Sequence, residues 1–133
     1  MRVIGIDYGD VRTGIAVSDP TGTIATGLKT IVTQDLNKLI SEIKAVIEEY
    51  KAEKIVVGFP RNMNGTLGIR AEKTQSFIDA LTKEVRIPVI KWDERLSSVM
   101  AHRTMHEKKK SPSKNKEAVD RIAACYILQS YLG

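Results

Sequence analysis

The chain has 133 residues, 42% of them hydrophobic, so it can bury a core without disulfide or metal staples, and a single domain is expected. Its 21 Lys and Arg against 16 Asp and Glu give a net charge of +5, which permits a polyanionic partner without requiring one. Asp7 comes before any signal-peptide core could form, and no apolar run approaches the roughly 18 residues of a membrane span, so a soluble, cytoplasmic protein is expected. Cys125 is the sole cysteine, which excludes an intrachain disulfide, and its apolar helical neighbours predict a reduced, packed thiol.

In chain order, Arg2 to Tyr8 and Arg12 to Ser18 read as strands joined by the short connection Gly9-Asp10-Val11, a hairpin. Thr23 to Val32 follows a turn at Asp19-Pro20-Thr21-Gly22 and is rich in β-branched residues, which predicts a third antiparallel strand. From Gln34 to Tyr50, Leu36, Leu39, Ile40, Ile43, Val46 and Ile47 recur at spacings of three and four, the pattern of an amphipathic helix. Lys54 to Phe59 is a continuous apolar run ended by Pro60, as for a central strand covered on both faces.

After a polar stretch from Arg61 to Gly68, a second helix carries Ala71, Thr74, Phe77, Ile78 and Leu81 inward and stops before Pro88. Val89 to Trp92 forms the last strand. Helices are then expected over Leu96 to about Glu107 and Glu117 to Leu132, separated by a loop from Lys108 to Lys116 that has no core-forming residue. Three strands in a meander followed by strands reached through helical crossovers predict an α/β fold with a five-stranded mixed sheet flanked by helices.

Three carboxylates fall where desolvation is expensive. Asp7 shares a strand face with Val3 and Gly5, Glu94 directly follows the last strand, and Asp120 lies on the helix stripe of Ala123, Ala124, Ile127 and Tyr131. Each alone has an ordinary explanation: a turn aspartate, a salt bridge to Arg95, and a helix-dipole contact respectively. If the three converge at about 4 Å, each pair repels by roughly 4 kcal/mol at an effective dielectric of 20, and a cation is the natural compensation. Oxygen-only ligands favour Mg²⁺ or Mn²⁺, as one or two ions, and such a site suits phosphodiester hydrolysis.

Gly5-Ile6-Asp7-Tyr8-Gly9, Arg12-Thr13-Gly14-Ile15-Ala16-Val17-Ser18-Asp19, Gly58-Phe59-Pro60, Asp93-Glu94-Arg95-Leu96-Ser97-Ser98 and Val119-Asp120-Arg121-Ile122-Ala123-Ala124 occur in this order. In these motifs the chain strongly resembles the YqgF/RuvX family over essentially its whole length. The resemblance implies a ribonuclease H-like fold related to the Holliday-junction resolvases. It also implies a cytoplasmic nuclease that matures the precursor of 16S ribosomal RNA during ribosome biogenesis, with Asp7, Glu94 and Asp120 as catalytic metal ligands. Thr26-Gly27 and Ser97-Ser98 depart from the family's commoner residues, and neither pair touches those ligands.

Arg12, Arg61, Arg70 and Arg95 are candidates to grip the phosphates beside the cut, or to pair with carboxylates. Lys108, Lys109, Lys110, Lys114 and Lys116 are candidates to track a nucleic-acid backbone. Aromatic residues make up only 5% of the chain, so recognition should depend on shape and backbone more than on base stacking. His102 and His106, four apart, are read as a solvated helix face and not as ligands.

The expected partner is structured RNA, or branched DNA for a resolvase, with ribosomal particles as a further partner, no membrane, and a monomer or weak homodimer. A non-catalytic nucleic-acid-binding module is the alternative that would dispense with the carboxylates. The first hairpin also resembles the phosphate hairpin of actin-like kinases, but those enzymes close a nucleotide between two such domains and 133 residues supply one.

Overall fold

The computed structural model describes residues 1–60, 68–94 and 116–133. Its elements are β1 (Arg2–Asp7), β2 (Arg12–Ser18), β3 (Ala25–Val32), α1 (Leu36–Tyr50), β4 (Ala52–Phe59), α2 (Ile69–Glu84), β5 (Val89–Asp93) and α3 (Lys116–Leu132). The helix expected over Leu96 to Glu107 lies outside the described residues, as does the lysine loop up to Asn115.

The strands form one mixed sheet in the order β3-β2-β1-β4-β5. The first three are antiparallel neighbours, while β4 pairs parallel with both β1 and β5. The apolar run Lys54 to Phe59 was expected to be central; it is interior, but the middle position belongs to β1. The middle falls to β1 because one further strand adds beyond each of its two neighbours, β3 beyond β2 and β5 beyond β4.

Side-chain alternation along the strands separates two cores. On one face Ile4, Ile6, Ile15, Ile55 and Val57 meet Leu39, Ile40, Ile43 and Val46 of α1 and Ala71, Phe77, Ile78 and Leu81 of α2. On the other, Val3, Ala16 and Val56 meet Ala124, Ile127 and Leu128 of α3. Each large aliphatic side chain fully buried here contributes roughly 1.5–3 kcal/mol.

Helix α1 starts at Leu36, two residues later than its periodicity suggests, because Asp35 is used as the cap. The Asp35 carboxylate accepts from the backbone N–H groups of Asn37 at 2.9 Å and Lys38 at 3.4 Å. Strand β3 starts at Ala25, not Thr23, since the preceding residues are folded onto Asp19. The Asp19 carboxylate takes the N–H groups of Thr23 and Ile24 and the Thr21 hydroxyl, and this hydrogen bonding lowers its pKa to about 2. The Ala25 N–H is in turn held by the Gln129 side chain at 2.9 Å.

Helix α3 lies unusually close to the sheet, and two glycines make that approach feasible. A Cβ on Gly5 of β1 would stand 2.6 Å from the Leu128 Cβ, and one on Gly14 of β2 would stand 2.0 Å from the Asp120 carbonyl oxygen. The Thr30 hydroxyl of β3 fastens the same end of the helix by donating to the Glu117 carbonyl at 2.6 Å. The beginning of α3 is thereby fixed above the end of β1.

Candidate metal centre and carboxylate site

Asp7 ends β1, on the strand face that looks toward α3. Glu94 follows β5, and its N–H donates to the Phe59 carbonyl at 3.0 Å, which carries the β4–β5 pairing one step further and fixes where the residue emerges. Asp93 sits opposite Phe59 in the parallel register and so falls on the other face of the sheet. Asp120 stands one helical turn before Ala124, on the stripe that meets the sheet.

Asp7 is the electrostatic centre of this group. Its side chain is only 15% exposed and shares a hydrogen bond with Glu94. Burial, reinforced by the negative charges of Glu94 and Asp120, raises its pKa to about 7; Arg70, with a guanidinium nitrogen 3.9 Å away, opposes the rise. Asp7 therefore holds its proton under conditions where an ordinary aspartate has lost it.

Asp120 is arranged differently. Arg12, the first residue of β2, places its Nε 2.9 Å from the Asp120 Oδ2, an ion pair whose side chains are 39% and 19% exposed. Asp120 thus acts on Asp7 through its charge while its carboxylate engages the guanidinium. Among the described residues, no three Asp, Glu, His or Cys side chains close into a metal-ligand set. The expected convergence of three carboxylates is met by Asp7 and Glu94 directly, and by Asp120 only at a distance.

Of the other residues singled out, Arg12 and Arg70 both reach this site, each on a carboxylate. Arg61, Arg95, Lys108, Lys109, Lys110 and Lys114 lie outside the described residues, as do His102 and His106; Lys116 opens α3. One neighbouring ion pair was missed: Lys73, one turn after Arg70 on α2, pairs with Asp10 of the first hairpin at 3.1 Å. Its spacing of three from Arg70 was the available signal. Cys125 is half-buried, with its thiol donating to the Ala25 carbonyl at 3.3 Å, and burial raises its pKa, as an unreactive packed thiol requires.

The Asp7 shift predicts how stability depends on pH. A carboxyl whose folded pKa lies above its unfolded value contributes stability that is complete below the unfolded pKa, here 3.8, and is lost as pH rises through about 7. In chelator, the wild type should therefore lose on the order of 2–4 kcal/mol relative to Asp7→Asn between pH 4 and pH 8, at about 1.4 kcal/mol per pKa unit. Urea unfolding of both proteins at each pH measures this difference; a difference that does not vary with pH contradicts it.

A mixed sheet in this order, covered by helices on both faces and carrying carboxylates at the ends of β1 and β5, is of the ribonuclease H-like class. The T. thermophilus RuvC in complex with Holliday junction substrate superimposes with a TM-score of 0.60 at 14% identity, covering 98% of this chain and 92% of that one. The family model described as "RuvX: Holliday junction resolvase" matches residues 1–133. A protein of Acetivibrio thermocellus named "Putative pre-16S rRNA nuclease" is 54% identical over 134 residues, 99% of this chain and 95% of that protein. One of the same name from Clostridium tetani is 52% identical over 132 residues, 99% and 96% of the two chains. The chain belongs to the RuvX family.

Proposed function

We propose that this protein is a divalent-metal-dependent nuclease that hydrolyses phosphodiester bonds in the precursor of 16S ribosomal RNA, in the cytoplasm, with Asp7, Glu94 and Asp120 as its metal-binding carboxylates. The observation that carries this reading is the Asp7–Glu94 pair, in which the Asp7 side chain is only 15% exposed and its pKa is raised to about 7. Two carboxylates held together with little solvent repel each other, and either a proton or a cation relieves that repulsion. The donor set is all oxygen, which fits Mg²⁺ or Mn²⁺.

When bound, such an ion supplies Lewis-acid stabilisation of phosphoryl charge and a water of lowered pKa. The chain's own residues do the rest. Asp7, Glu94 and Asp120 would hold the cation at the sheet's end, while Arg70, Arg12, Arg61 and Arg95 would meet the phosphates flanking the scissile bond. The lysines at positions 108, 109, 110, 114 and 116 would follow the backbone of structured RNA or a ribosomal particle.

The test is purified protein on a 16S precursor RNA and on a four-way DNA junction, with Mg²⁺, Mn²⁺ or chelator. Metal-dependent scission of the RNA is expected. Cleavage confined to the junction would make the protein a resolvase, in keeping with the family's description. Cleavage that persists in chelator, or in Asp7→Asn, sinks the metal mechanism.

A further inference from the structure

Arg12 is the one guanidinium that makes a short, direct contact with a carboxylate of this site among the described residues. It begins β2 and reaches a helix 108 residues further along the chain, where its Nε lies 2.9 Å from the Asp120 Oδ2. Arg70, by contrast, stands 3.9 Å from Asp7 and is 63% exposed. Asp120 is held on one side by this ion pair, and its backbone is held by contact with Gly14, two residues beyond Arg12 on the same strand. The hairpin that delivers the cation therefore also fixes the helix turn that carries the anion.

We propose that Arg12 is a built-in counter-cation that competes with the divalent ion for Asp120. Resting on the metal reading above, it assigns Arg12 a positioning role: it neutralises the third carboxylate while no metal is bound, and its positive charge on Oδ2 opposes recruitment of that carboxylate as a ligand. The Asp120 side chain is 19% exposed, so solvent screens its pairing with Arg12 only in part, and loss of that charge leaves the carboxylate more open to a cation. Removing the guanidinium should then tighten metal binding, which is the opposite of what loss of a merely structural ion pair would do.

Isothermal titration of Mn²⁺ into the full chain, with no nucleic acid, decides the matter. Arg12→Gln is expected to bind Mn²⁺ roughly three- to fivefold more tightly than wild type, the upper part of the range of a partly exposed ion pair converted to an equilibrium constant. Arg12→Lys, which keeps the charge, should stay within about twofold of wild type. Equal or weaker Mn²⁺ binding by Arg12→Gln overturns the proposal, provided that wild type binds Mn²⁺ and Asp7→Asn does not. Absence of Mn²⁺ binding by wild type overturns the metal reading itself, and the proposal with it.

Discussion

Replacing Asp7 with asparagine should leave a protein that is more stable yet inert. In chelator at pH 8 the variant gains about 2–3 kcal/mol, or roughly 10 °C in unfolding midpoint for a chain of this length, because the folded state no longer holds a buried carboxylate against Glu94 and Asp120. The gain is less than the full shift implies, since a buried amide also needs hydrogen-bond partners and Arg70 loses its anion. Cleavage should fall by roughly 10³-fold or more, the effect of losing several kcal/mol of charge stabilisation in the transition state. Millimolar Mn²⁺ should then raise the midpoint of the wild type and not of the variant, as ligand linkage requires. A variant less stable than wild type at pH 8 would show that Asp7 is a structural partner and not a strained ligand.

The second large effect is expected at Gly14, where nothing in the chemistry of the residue hints at a role. Because any Cβ there would stand 2.0 Å from the Asp120 backbone oxygen, Gly14→Ala must push α3 off the sheet or bend β2. Overpacking against backbone that cannot rotate away should destabilise by about 3 kcal/mol. Gly27→Ala provides the control: its Cβ would lie 3.2 Å from the Arg121 Cβ, a contact relieved by a shift of a few tenths of an ångström, with a cost below about 1 kcal/mol. Urea unfolding separates the two. Near-equal midpoints would mean that the close seating of α3 is not what holds Asp120 over the end of β1.

The two predictions concern one arrangement. The closely seated helix delivers Asp120 to the edge of the Asp7–Glu94 pair, and Arg12 determines how the delivered carboxylate is occupied. A substitution that lifts α3 would thus weaken both the electrostatic pressure on Asp7 and the Arg12 contact, so Gly14→Ala should also reduce the pH dependence that Asp7 imposes on stability.

Much of this protein is determined locally. The three- and four-residue spacing of Leu39, Ile40, Ile43 and Val46 can bury one face only as a helix, and the alternation Val3, Gly5, Asp7 places the aspartate on a covered face whatever the rest of the chain does. Covalent order and the motif residues were likewise enough to indicate the family and the mixed sheet. Tertiary structure alone decided the rest. The middle of the sheet went to β1 because β3 and β5 add beyond its two neighbours, the Ala25 N–H at the head of β3 was taken by Gln129 from 104 residues away, and Asp120 was given to Arg12 and not to the other carboxylates. Each of these depends on a distance between residues far apart in sequence. Periodicity reports which side of an element is covered, but not which partner arrives there, since that is set by how closely α3 can approach the sheet.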